Sequence, residues 1–193
     1  KILFYVIFIY MQNICLIIGA GAGVGGNVAK VFADDGYHVY LTRRSDESGL
    51  KKMIDTINAS GGKASGKLMN AIKDNTIEDL IHEVEKDLGP ISVVVYNLGA
   101  QIGNKKLEDL TLKQFDLGLK MGTVGIFRLS KTLFPYMVKR GGGTLIATSS
   151  TASVRGNRGQ HSHAAAMGAR RMLCQTLNDE FSIKGIHIVH AII

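Results

Sequence analysis

The stretch "LIIGAGAGVGGNVAKVF", residues 16–32, constrains the fold more than any other part of the chain. An apolar run of strand length stops at Gly19, five of the eight residues 19–26 are glycine, and an amphipathic helical segment follows. Glycines allow positive φ and let another group come close to the backbone. The free amides and dipole at the start of a helix favour an anion such as a phosphate. Two spacings fit: Gly21, Gly23 and Gly26 give GxGxxG, and Gly19, Gly23 and Gly25 give GxxxGxG around Val24. The first would begin two residues beyond the strand, whereas the second begins where the strand stops and is preferred. A glycine turn that serves close packing alone is the competing account.

From Met11 onward, short β-branched apolar runs alternate with longer amphipathic segments, the pattern of βαβ units around a parallel sheet buried on both faces. Strands are expected at 14–18, 37–42, 64–69, 92–97, 144–149 and 186–193, and helices near 24–35, 46–60, 75–88, 108–139 and 161–184. The expected fold class is α/β, a Rossmann-type doubly wound parallel sheet with helices on both faces, ending after its sixth strand. Because ligands of such sheets sit beyond the carboxyl ends of the strands, a chain that stops there is expected to lack part of its site.

With 193 residues, 46% of them hydrophobic, residues 11–193 suffice for one domain with its own core. The first ten residues, "KILFYVIFIY", are too short to span a bilayer, which needs about 20 apolar residues. They are expected to be an upstream or non-native tail whose removal leaves the fold intact. Cys15 and Cys174 have no CxxC or Cys/His spacing, which fits buried thiols in a reducing, cytoplasmic setting. The net charge of +7 is spread as pairs among acidic neighbours, with no aromatic-interleaved basic stripe, so neither nucleic acid nor membrane is expected as a partner.

The end of the second strand, "LTRRSDE", falls where an acidic side chain would hold a ribose 2′-hydroxyl and an arginine would accept a 2′-phosphate. Arg43 and Arg44 occupy that place, which favours NADP(H) over NAD(H). Ser45 or Asp46 capping the next helix, with the arginines as solvated charge, is the plainer alternative.

On these residues the chain resembles the short-chain dehydrogenase/reductase family, over nearly everything from Met11 to Ile193. The glycine motif is matched by Gly19, Gly23 and Gly25, and the family's NNAG motif appears as "YNLG" with Asn97 and Gly99 kept. The family's adenine-contacting pair corresponds to Asn70 and Ala71. The resemblance implies a small-molecule carbonyl or alcohol substrate and a homo-oligomer formed through the long helices.

It also implies a catalytic Asn, Ser, Tyr and Lys, and here the chain departs. Ser150 matches the serine, but thirteen positions on stands His163, four further stands Met167, and the asparagine falls on Gly122. An imidazole is a competent general acid near neutral pH, although Met167 offers it no charge; His161, Arg170 or Arg171 are within a turn or two. His163 and Met167 as ordinary helix residues, with Met167 packed beside Leu173, Cys174 and Leu177, is the other account. The H-x-H spacing of His161 and His163 has no further ligand cluster, so no metal is expected. Two functions stay open: an atypical NADP(H)-dependent oxidoreductase using Ser150 and His163, and a catalytically silent NADP(H)-binding protein.

Overall fold

The computed structural model describes residues 13–99 and 102–193. The expectation for residues 1–10 lies outside them. Strand β1 (Ile14–Ile18) is followed by α1 (Val24–Asp34), β2 (His38–Arg43), α2 (Glu47–Ala59), β3 (Lys63–Leu68), α3 (Thr76–Asp87) and β4 (Ile91–Tyr96). Then come α4 (Leu112–Leu119), α5 (Gly125–Lys139), β5 (Gly143–Ser149), α6 (His161–Phe181) and β6 (Ile186–Ile192). The six strands form one parallel sheet in the order β3-β2-β1-β4-β5-β6. The order reverses between β1 and β4, which puts the crevice for a ligand at the carboxyl ends of those two strands.

The central strand shows why its sequence is apolar throughout. Ile14, Leu16 and Ile18 join the core on one face, against Ile77, Leu80 and Ile81 of α3 and Ile126, Leu129 and Leu133 of α5. Cys15 and Ile17 join the core on the other face, against Ala29 of α1 and Leu50 and Ile57 of α2. Successive side chains of a strand point to opposite faces, so a strand covered on both sides leaves no position for a polar residue. Full burial of each such aliphatic side chain stabilises the fold by about 1.5–3 kcal/mol.

Strand boundaries match the expected ones within a residue, and the helix expected over 108–139 is divided. A 3-10 turn at Leu107–Asp109 precedes α4, and a π-helical segment, Lys120–Val124, joins α4 to α5. Helix α4 starts where Thr111 accepts from the Gln114 amide and the Gln114 side chain accepts from the Thr111 amide. This reciprocal cap is a T-x-x-Q start signal present in the sequence. Helix α6 stops at Phe181, and a single 3-10 turn leads to Gly185 at φ +82.

Two ion pairs pin α5 to the sheet side of α3. Arg128 makes a bidentate pair with Glu78 at 2.8 and 2.6 Å and donates to the Ala71 carbonyl. Arg140 does the same with Glu85 and donates to the Ile91 carbonyl. Among the described residues no helix is long and apolar enough to cross a membrane.

Candidate functional site: a nucleotide cleft beside a serine–histidine pair

A cleft of about 480 Å³ opens at the switch point, walled by Gly19, Thr42, Arg43, Arg44, Asn70, Ala71 and Gly99, with Leu98, Ile102 and Met121 toward the far end. The glycine turn builds its floor. Gly19 has φ +96, and a Cβ there would lie 2.8 Å from the Asn97 carbonyl oxygen. A Cβ on Gly25 would lie 2.4 Å from the Gly19 carbonyl oxygen, so these two glycines are required by the backbone itself. At Gly21 and Gly23 a Cβ would meet nothing within 4 Å. Gly26, part of the alternative spacing, is also tight, against Met53 and the Gly21 carbonyl.

Helix α1 begins at Val24 with no side-chain cap and no acidic residue in its first turn, so its amides and dipole face the turn without a competing anion. An anionic pyrophosphate fits this arrangement: open space above Gly21 and Gly23, and an unneutralised helix start beneath. Asn97 closes the site from the side of β4. Its Nδ2 donates to the Gly19 carbonyl at 2.9 Å and its Oδ1 accepts from the Thr148 hydroxyl at 2.8 Å. The ends of β1, β4 and β5 are thereby held in one frame.

At the end of β2 the two arginines are not equivalent. Arg43 donates through Nε to the Ala20 carbonyl at 2.6 Å and pairs with Asp46. Its side chain braces the glycine turn. Arg44 is exposed on the cleft wall and makes no ion pair among the described residues. Asp46 also caps α2 by accepting from the Gly49 amide, as the plainer alternative expects. Its carboxyl is held below the usual carboxylate range, first by that amide.

Beyond the cleft, at the end of the neighbouring strand β5, Ser150 and His163 come together: Ser150 Oγ is 3.1 Å from His163 Nε2. His163 is only 8% exposed, and its Nδ1 is buried without a hydrogen-bond partner among the described residues. An imidazolium must donate from both nitrogens, so this surrounding favours the neutral ring. Burial first, and the positive charge of Arg170 second, hold its pKa below the ordinary 6.5. A neutral imidazole at hydrogen-bonding distance from a hydroxyl is placed to exchange a proton with it.

The remaining residues of this half are apolar or cationic. Met167 packs with Ala152, Ala166 and Leu119, and not beside Leu173, Cys174 and Leu177, because α6 turns those three toward the main core. Its sulfur accepts from the Ser149 hydroxyl at 3.7 Å. Arg170, one turn further, is 1% exposed and has no carboxylate partner among the described residues. Its guanidinium donates to the carbonyls of Gly122 and Leu98, each at 2.6 Å, and of Thr148, and lies 5.3 Å above the Tyr96 ring. One side chain thus fastens the π-helical segment, the end of β4 and the end of β5 to α6. The sequence had marked Arg170 only as a charge near His163, because nothing local shows that three carbonyls from distant segments converge on it.

Comparisons with known proteins agree with this fold. The family model for the short chain dehydrogenases matches residues 13–192. The chain belongs to that family, the short-chain dehydrogenase/reductase oxidoreductases with a Rossmann NAD(P)-binding fold. It is similar to the 3-oxoacyl-[acyl-carrier-protein] reductase FabG of Thermotoga maritima, 27% identical over 180 residues that cover 91% of this chain and 71% of the relative. A short-chain dehydrogenase from Rhodopseudomonas palustris superimposes with a TM-score of 0.88 at 28% identity, covering 93% of this chain and 84% of that one. A 7α-hydroxysteroid dehydrogenase complexed with NADH and 7-oxo glycochenodeoxycholic acid gives a TM-score of 0.86 at 26% identity, covering 93% and 70%.

Proposed function

We propose that this protein is an atypical NADP(H)-dependent oxidoreductase in which Ser150 and His163 handle the proton at a carbonyl or alcohol group. The observation that carries this is the 3.1 Å contact between Ser150 Oγ and His163 Nε2 beside the nucleotide cleft. When bound, NADP(H) supplies the hydride chemistry. Gly19, Gly23, Val24 and Gly25 would hold its pyrophosphate, Arg44 with Arg43 its 2′-phosphate, Asn70 and Ala71 its adenine, and Asn97 and Gly99 its nicotinamide end.

In the direction of alcohol oxidation, the Ser150 hydroxyl orients the substrate oxygen and neutral His163 accepts the proton at Nε2. In the direction of carbonyl reduction, the His163 ring must first be protonated to the imidazolium, whose Nε2 then gives up its proton, and that direction therefore gains as pH falls toward the lowered pKa of His163. The arginines support the 2′-phosphate because a second positive charge stays unpaired even after Arg43 engages Asp46. The NADH complex of the hydroxysteroid dehydrogenase is the counterexample against which the preference has to be measured.

A side-by-side fluorescence titration of NADPH and NADH tests the cofactor, in the chain and in Arg43→Asp and Arg44→Ala. NADPH is expected to bind tighter, and the variants are expected to lose about tenfold of that advantage, the worth of one charge-assisted pair. Equal losses for both nucleotides would remove the preference.

The second function, NADP(H) binding without turnover, has its own support: Met167 and Gly122 bring no polar side chain, and His163 Nδ1 has no orienting partner. A cofactor that binds tightly while no alcohol or ketone changes its absorbance over a broad panel would decide for it. A homo-oligomer is in keeping with apolar side chains left exposed on the long helices, Phe127 on α5 and Met172 on α6.

A further inference from the structure

At the start of α6, the helix that carries His163, and sharing no lining residue with the nucleotide cleft, lies a second cavity of about 590 Å³. Its walls carry Lys105, Lys106, Arg158 and His161, with Glu108 as the one carboxylate among them. We propose that this cavity binds an anionic group, a carboxylate or a phosphate, on the molecule whose carbonyl or alcohol is processed at Ser150 and His163. The identity of the molecule rests on the oxidoreductase function proposed above; the binding of the anion does not.

Charge and frame both point there. Glu108 stands 3.7 Å from Lys106, which leaves Lys105 and Arg158 without an acidic partner among the described residues. Lys105 is half-buried, and its amide donates to the Gly159 carbonyl at 3.0 Å. That bond ties the segment after β4 to the segment after β5, so cations from both are held around one space. Gly159 adopts φ +77 at this junction, a left-handed conformation that suits glycine. Like charges gathered without counter-charge repel, and an anion placed among them relieves the repulsion.

The start of α6 adds to the same field. This 21-residue helix has no side-chain cap at Gln160 and no acid in its first turn, and its first residue, His161, lines the cavity. The positive end of the helix dipole is therefore directed at the cations' space and not cancelled. Arg158, Gly159 and His161 of the cavity wall belong to the stretch that runs from Ser150 to His163, so the cavity is built on the same chain segment as the pair. The nucleotide phosphates are not the natural occupant. Ile102 borders the nucleotide cleft while Lys105 and Lys106 border this cavity, and the two have no lining residue in common.

The test is calorimetric titration of levulinate and of its methyl ester, one a carboxylate and the other its neutral counterpart, with and without saturating NADPH. Inorganic phosphate is titrated in parallel. The wild-type chain is expected to bind levulinate about tenfold tighter than the ester, the worth of one charge-assisted contact. The preference is expected to fall with added salt. Lys105→Ala/Arg158→Ala is expected to abolish it while NADPH affinity is unchanged; Lys105→Gln/Arg158→Gln controls for lost packing. Equal binding of acid and ester by the wild type, or an undiminished preference in both double variants, would overturn the proposal. Phosphate competing with levulinate supports a general anion site, and failure to compete restricts it to carboxylates. Loss of NADPH binding alone would sink the cofactor assignment and leave the anion result standing.

Discussion

The two ends of this site are built in different ways. At the nucleotide end the site rests on backbone: a Cβ on Gly19 or Gly25 would press on the carbonyl oxygen of Asn97 or Gly19, and the start of α1 follows without a side-chain cap. At the proposed proton end the site rests on side chains: Ser150 and His163 meet at 3.1 Å, and Met167 beside them is apolar. Backbone sites are held by sterics that the fold itself enforces, whereas side-chain sites change one residue at a time without unfolding anything. Arg170 lies next to this pair. A buried guanidinium spread over three carbonyls now holds together the strand ends on which the reacting groups sit.

The contrast is broken most sharply at His163. His163→Ala is expected to lower turnover by about 10²–10⁴-fold, the usual contribution of a positioned acid or base, with NADPH binding unchanged. Steady-state rates beside a fluorescence titration read both quantities, and equal turnover in variant and wild type would place proton transfer elsewhere.

The converse change strikes the other end. Gly25→Val is expected to cost about 1–3 kcal/mol of stability through overpacking and to weaken nucleotide binding, because the added atoms displace the Gly19 carbonyl. Chemical denaturation and the same titration check it. A variant that binds NADPH normally would show that the turn is only a packing device.

The smallest effect sharpens the electrostatic side. His38, His163 and His190 all have pKa values held below the ordinary 6.5, in each case first by burial. The unfolded chain therefore takes up protons at these sites before the folded chain does. Their contribution to stability is complete above about pH 6.5 and is lost as pH falls through the folded pKa values. Melting temperatures measured between about pH 7.5 and pH 5 are expected to decline, and His163→Phe is expected to make the decline shallower. A flat profile would mean that these rings gain protons as readily folded as unfolded.

Much of this molecule was legible in its sequence, for physical reasons that can be named. The doubly buried strands announce themselves because a strand covered on both faces admits only apolar residues, as Ile14 to Ile18 show. The glycine turn announces itself because close backbone approach and positive φ leave glycine little competition. The late start of α4, at Leu112 and not at 108, is written in Thr111 and Gln114 and masked by the apolar periodicity around them. The π-helical segment shows no local signal, and the Arg170 guanidinium that engages its Gly122 carbonyl stands 48 positions away.

Sequence order thus decided the sheet, the nucleotide turn, and the pairing of a serine with a histidine thirteen positions on. Only the tertiary structure decided that Arg43 braces the turn while Arg44 stays open to the cleft, and that Met167 packs away from Cys174. It alone made Arg170 a clamp on three strand and helix ends, and set Lys105 and Arg158 across one cavity. The first group depends on steric and hydrophobic rules that act between near neighbours in the chain. The second depends on which distant carbonyls and charges the folded sheet brings within about 3 Å of one another, a distance that no local pattern encodes.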